Sequence, residues 1–108
     1  MKRGDSERLA DIANAISAIH THLATKEAAT ELKRDAILYN LLIIGEAVKA
    51  LNEETRALRQ EVPWRQIGGL RDVIAHEYYR IDMSEVRRIV DQDLGQLAAA
   101  VAALRSRG

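Results

Sequence analysis

The 108-residue chain has no cysteine and no phenylalanine, a single proline (Pro63), one tryptophan and three tyrosines. Without cysteine there can be no disulfide and no thiolate metal centre, which fits a reducing compartment. Strand-type aromatic clusters are missing, so an all-α fold starts ahead of any β architecture. Charge of one sign is missing too: 16 basic side chains face 16 acidic ones. A protein that coats nucleic acid needs an excess of Lys and Arg to neutralise many phosphates, so zero net charge argues against that class. An enzyme that touches one phosphate is still compatible. No apolar run approaches the roughly 20 residues of a membrane span. Met1-Lys2-Arg3-Gly4-Asp5 leads into a charged helix, unlike an apolar signal region. The expected location is therefore the cytoplasm, away from membranes.

What the chain does have is helix formers. Hydrophobic residues make up 47% and charged residues 30%, with Ala, Leu, Ile, Arg and Glu prominent. The length and the lack of linkers or repeats imply one domain over 1–108, with a modest core. Leu9, Ile12, Ile16, Ile19 and Leu23 recur at three and four residues and predict a helix over about 6–23, capped by Asp5 or Ser6. A turn is expected over 24–30, with Thr30 as the next cap. The second helix, about 31–52, is the most apolar. Ile37, Leu41, Ile44, Val48 and Leu51 form its seam, while Leu38, Leu42 and Ile43 add apolar surface beyond it. Such a helix calls for cover on both sides, from its own bundle and from a second copy. Gly45 in its middle costs about 1 kcal/mol against alanine, which suggests close approach by a neighbouring helix.

A short helix over about 54–61 comes next. Pro63 suits the first position of a helix over 64–77, where Ile67, Leu70 and Ile74 make the apolar line. Asp82 and Glu85 read as a capping box opening a last helix that runs to about Leu104. The sum is an up-and-down bundle of four long helices plus a short one.

Most catalytic signatures are absent. There is no glycine-rich phosphate loop ending in lysine and no glycine-flanked serine. His20 and His22, two apart on a helix, point to nearly opposite sides and read as surface residues, and no metal site is expected. Chemistry concentrates in Gly69-Leu70-Arg71-Asp72-Val73-Ile74-Ala75-His76-Glu77-Tyr78-Tyr79. This stretch combines a permanent guanidinium, an imidazole that titrates near neutrality and two phenols. Metal-free cleavage of an RNA phosphodiester uses such groups. Histidine moves the protons of the 2′-hydroxyl and the 5′-oxygen, and guanidinium stabilises charge on the phosphorane. Helix geometry complicates the pairing, because residues 71 and 76 lie about 140° apart around an ideal helix. Arg71 points more nearly with Tyr78, and His76 shares a face with Arg65, Gly69 and Asp72. The helix could end near His76, Arg71 could reach around it, or two copies could assemble the site. A combination of the last two is favoured.

The run Arg71-(four residues)-His76-Glu77-Tyr78 resembles the R-x4-H-x-Y motif of HepT toxins in the HEPN superfamily. Asn40-Leu41-Leu42-Ile43-Ile44-Gly45-Glu46-Ala47, Val62-Pro63-Trp64-Arg65-Gln66-Ile67 and Ile81-Asp82 resemble further blocks of that family in the same order, over about 37–82. The resemblance implies a homodimeric, metal-independent ribonuclease toxin with its cleft at the dimer interface. It implies Arg71 and His76 as catalytic pair and Asp72 as a supporting polar residue. It also implies a minimal nucleotidyltransferase antitoxin of the MntA type, which uses ATP and magnesium to place AMP on Tyr78; the toxin itself needs no cofactor. Glu46 is expected either as a surface carboxylate or as a structural partner for an arginine near the cleft, where Arg65 also belongs. Asp72 stands where many relatives carry asparagine and adds negative charge beside the phosphate site. The competing reading is a non-catalytic HEPN module that docks a nucleotidyltransferase.

Overall fold

A computed structural model describes residues 3–25 and 30–107, and every regular element among them is helical. Helix α1 spans Arg3–Ala24, α2 Thr30–Ala50, α3 Glu53–Ala57 and α4 Trp64–Glu77. A 3-10 turn, Tyr78–Arg80, ends α4. Helix α5, Met83–Ile89, runs through a π turn, Val90–Leu94, directly into α6, Gly95–Arg107. Counting α5 to α6 as one rod, the chain is a bundle of four long helices and a short one. The expected turn between α1 and α2 falls at 26–29, outside the described residues, as does the side chain of Thr30.

Periodicity explains the packing. Leu9, Ile12, Ile16 and Ile19 of α1 are buried against the α2 seam of Ile37, Leu41, Ile44, Val48 and Leu51. Leu38 of α2 is fully buried as well, and Leu42 and Ile43 are half-buried against the same core. Ile67, Leu70 and Ile74 of α4 close the opposite flank of α2. Val86, Val90, Leu94, Leu97, Val101 and Leu104 complete the core from the last rod. The central helix α2 is thus covered by α1 and α4 of the same chain. That alone accounts for most of its wide apolar surface.

Several local expectations are corrected. Asp5 does not cap α1, which already begins at Arg3. Its carboxylate is buried and accepts hydrogen bonds from Asn52 N at 3.2 Å, Asn52 Nδ2 at 2.9 Å and Thr55 Oγ1. It therefore ties the start of α1 to the α2–α3 junction, where orphan donors at the head of α3 need an acceptor. Helix α3 is shorter than the expected 54–61, spanning Glu53–Ala57. Pro63 sits one residue before the first helical position, and its carbonyl accepts the Ile67 N–H at 3.0 Å. Asp82 caps α5 by accepting from Glu85 N at 2.9 Å, but the Glu85 side chain pairs with Arg88 at 2.6 Å and does not reach back. Half of the capping box forms.

Burial by itself would raise the Asp5 pKa. The hydrogen bonds from Thr55 and Asn52 outweigh it and hold the carboxyl below its ordinary 3.8. The stability this group contributes is fully present above that ordinary value and is lost as pH falls through the lower folded-state value. Asp5→Ala should cost about 1–3 kcal/mol at neutral pH, the range for removing a buried charged acceptor. Urea melts at pH 7 and pH 3 check this, with the gap between parent and variant shrinking at the lower pH.

Candidate active site on helix α4

The position of α4 is set by one contact. A methyl group added to Gly45 of α2 would stand 2.9 Å from Arg71 Cβ, 3.0 Å from Arg71 N and 3.3 Å from its Cα. Glycine is there because the backbone of α4 lies in that space. This crossing delivers Arg71 to the residue beside Gly45. Arg71 Nε pairs with a Glu46 carboxylate oxygen, and Arg71 Nη1 bonds Asp72 Oδ1 at 3.2 Å. Lys49, one turn on from Glu46, reaches Asp72 Oδ2 at 2.9 Å. The four side chains alternate in charge along the groove between α2 and α4, and all are exposed. Exposed ion pairs of this kind contribute little to folding, so the network orients its members more than it stabilises the fold. Hydrogen bonds to Asp72 and then Glu46 raise the Arg71 pKa, so the guanidinium stays charged. Hydrogen bonds from Lys49 and Arg71 hold Asp72 below the usual carboxylate range.

His76 is exposed in the last turn of α4. The α-helix runs unbroken through both Arg71 and His76 and through the Gly68-Gly69 pair, ending only at Glu77. Within one chain the two side chains therefore leave the helix in different directions, and among the described residues no hydrogen bond joins them. Glu46 is the arginine partner that the sequence left as one of two options. Arg65 is exposed on the first turn of α4. His20 is exposed and His22 half-buried, both on α1.

Tyr78 is placed otherwise than its motif position suggests. Its ring is half-buried and its hydroxyl donates to Asp35 Oδ1 at 3.1 Å. The Arg34 guanidinium lies 5.0 Å from the ring centroid. Arg34 also donates to the carbonyls of Tyr78 at 2.7 Å and Ile81 at 3.0 Å, serving acceptors that the helix end leaves without partners. Burial first, and the hydrogen bond to Asp35 second, push the Tyr78 pKa up. Tyr79 is 95% exposed and meets Tyr78 edge to face. Sequence reasoning missed Arg34, Asp35 and Lys49. The first two lie more than 40 residues from Tyr78, and no local spacing could announce them.

These features come together with one set of comparisons. The Ribonuclease HepT-like family model matches residues 9–104. The chain belongs to the HepT-like ribonuclease family. It is 32% identical to a Thermococcus cleftensis protein named "Probable ribonuclease HepT", over 97% of this chain and 99% of that one. Two shorter matches bear names beginning "Putative RNase". The first, from Caldanaerobacter subterraneus, is 36% identical over 61% of this chain and 59% of its own length. The second, from Methanocaldococcus jannaschii, is 35% identical over 63% of this chain and 62% of its own. No solved structure matches. Family membership agrees with the all-helical bundle.

Two glycines on facing helices should respond in opposite directions. Gly45→Ala should give a net loss of about 1–2 kcal/mol, the overpacking against Arg71 exceeding the gain in helix propensity. A methyl on Gly69 meets nothing within 4 Å, so Gly69→Ala should stabilise by roughly 0.5–1 kcal/mol. Chemical denaturation of the two variants reads both signs.

Proposed function

We propose that the protein is a metal-independent endoribonuclease toxin that works as a homodimer, with Arg71 and His76 as its catalytic pair. The observation that carries this reading is the pinning of Arg71 at the open surface between Glu46 and Asp72, on the same helix as a solvent-facing His76. A guanidinium pre-set by fixed partners needs little reorganisation to meet charge developing on a phosphorane oxygen. His76 accepts the 2′-hydroxyl proton as the 2′-oxygen attacks phosphorus. A second imidazole protonates the departing 5′-oxygen, and two copies of His76 supply both roles. Asp72 holds Arg71 in position and balances its charge.

The divergence of Arg71 and His76 within a protomer supports the dimer, since the second copy brings its own pair to the opening. Apolar surface supports it as well: Leu32 and Tyr39 of α2 and Val73 of α4 are more than half exposed. Neutralisation follows the family pattern, with an MntA-type nucleotidyltransferase using ATP and magnesium to place AMP on Tyr78. Added phosphate and adenosine would repel RNA and block its approach. The Tyr78 hydroxyl already donates to Asp35 Oδ1, so Asp35 would take the phenolic proton as the phenolic oxygen attacks the α-phosphate of ATP and pyrophosphate leaves. Exposure alone would choose Tyr79; motif position chooses Tyr78.

Arg71→Ala and His76→Ala should remain folded, because both residues are exposed, and should each lose cleavage by 10²-fold or more, about the size of one acid–base or electrostatic contribution. RNA cleavage in EDTA should match cleavage in magnesium. Undiminished activity in both variants would leave the docking-module reading in possession. Mass spectrometry after coexpression with the nucleotidyltransferase should find AMP-sized increments on the Tyr78 peptide and persistence of that label in a Tyr79→Phe variant.

A further inference from the structure

Beside the Arg71–Asp72 corner the surface is hollowed. An open groove of about 740 Å³ lies between α3 and the start of α4, lined by Arg56, Gln60, Trp64 and Arg65 among others. A second hollow of about 450 Å³ continues it between α2 and α4. The two share Arg56, Trp64 and Arg65, and the second ends at Lys49, Gly69 and Asp72. On α4, residues 65, 69, 72 and 76 recur at four, three and four, so the groove follows one helix face from Arg65 toward His76. From 65 to 76 is a rise of 11 helical steps, or about 16 Å.

The lining has the chemistry of a strand path. Among the described residues Arg56 and Arg65 have no ion-pair partner, whereas Arg59 is paired with Glu61 and Arg71 with Glu46. Arg56 Nε is buried without a hydrogen-bond acceptor. Two guanidinium groups without counter-ions therefore stand along one groove, opposed by the single unpaired carboxylate of Glu53, while Lys49 and Asp72 neutralise each other. The Trp64 indole is fixed as wall, its Nε1 donating to the carbonyls of Arg56 at 3.1 Å and Arg59 at 2.9 Å. The floor at Gly69 is bare, since a side chain there would project into open space. None of the large exposed hydrophobics, Leu32, Tyr39, Leu58, Val73 and Tyr79, lines the groove. Between the arginines the wall is apolar, made by Ala57, Val62, Pro63 and Trp64, a surface on which bases can lie while their phosphates meet guanidinium groups.

We propose that this groove carries the single-stranded RNA flanking the scissile bond, with Arg56 and Arg65 on successive backbone phosphates and Gly69 leaving room for the strand. The inference rests on the ribonuclease reading above and adds the route by which substrate reaches it. Groups that hold phosphate without reading bases make the path tolerant of sequence.

Binding of an uncleavable 2′-O-methyl RNA about ten nucleotides long, a typical footprint for one strand-binding domain, followed by fluorescence anisotropy, tests the path without chemistry. Arg56→Gln with Arg65→Gln should weaken binding about tenfold and reduce the slope of log K against log salt by about 1.4, two contacts at about 0.7 each. Gly69→Leu removes no charge, yet should weaken binding several-fold while its Tm stays at or above the parent's. RNA affinity unchanged in all these folded variants would overturn the proposal. So would unchanged RNA affinity together with lost binding of the nucleotidyltransferase, which would give the groove to a protein. Cleavage of a dinucleotide by the unaltered protein reads the ribonuclease proposal separately, since so short a substrate does not reach Arg56.

Discussion

The backbone of α4 rests on Gly45 of α2, and the placement of the site follows from that contact. With no side chain at Gly45, the Arg71 main chain comes within van der Waals reach of α2. The next residue on α2, Glu46, is then beside the Arg71 side chain, and Lys49 is beside Asp72. A larger residue at 45 would move the helix that carries Arg71, Asp72 and His76 together. The unfavourable helix propensity of glycine at mid-helix is thus exchanged for a fixed position of the guanidinium.

Little of the candidate site is buried. The core beneath it is formed by Ile44, Val48, Ile67, Leu70 and Ile74, all apolar and closely covered. Above that floor the charged residues alternate in sign and face solvent, so none of them is required to hold the bundle together. The apolar core and the charged network occupy opposite faces of the same two helices. Local anchoring comes from polar groups that do turn inward: Asp5 at the α2–α3 junction, Trp64 against α3, and Arg34 at the end of α4.

The helices were legible because three- and four-residue apolar spacing is a direct consequence of burying one helix face. The motif stretch from Arg71 to Tyr78 was legible because its residue types suit phosphodiester chemistry and because it resembles a family pattern. Gly45 could be read as a close approach, though not as an approach to Arg71 in particular. The roles of Asp5, Arg34, Asp35 and Lys49 could not be read. Each acts on a group at least 23 residues away in sequence, and an isolated charged residue on a helix looks the same whether it faces solvent or a neighbouring helix end. The reciprocal half of the capping box failed for a related reason: Arg88, one turn on, offers Glu85 a full charge where the cap offers only an amide.

In the proposed reaction the guanidinium held by Glu46 and Asp72 and the imidazole of His76 converge on one phosphate when two subunits meet. The most direct measurement is a crystal structure of the protein with a 2′-deoxy dinucleotide, which presents a phosphate that cannot be cut. The account predicts a dimer with that phosphate at hydrogen-bond distance, about 3 Å, from an Arg71 guanidinium and a His76 imidazole. A phosphate bound away from both groups, or a dimer that buries them on separate, closed surfaces, would contradict it.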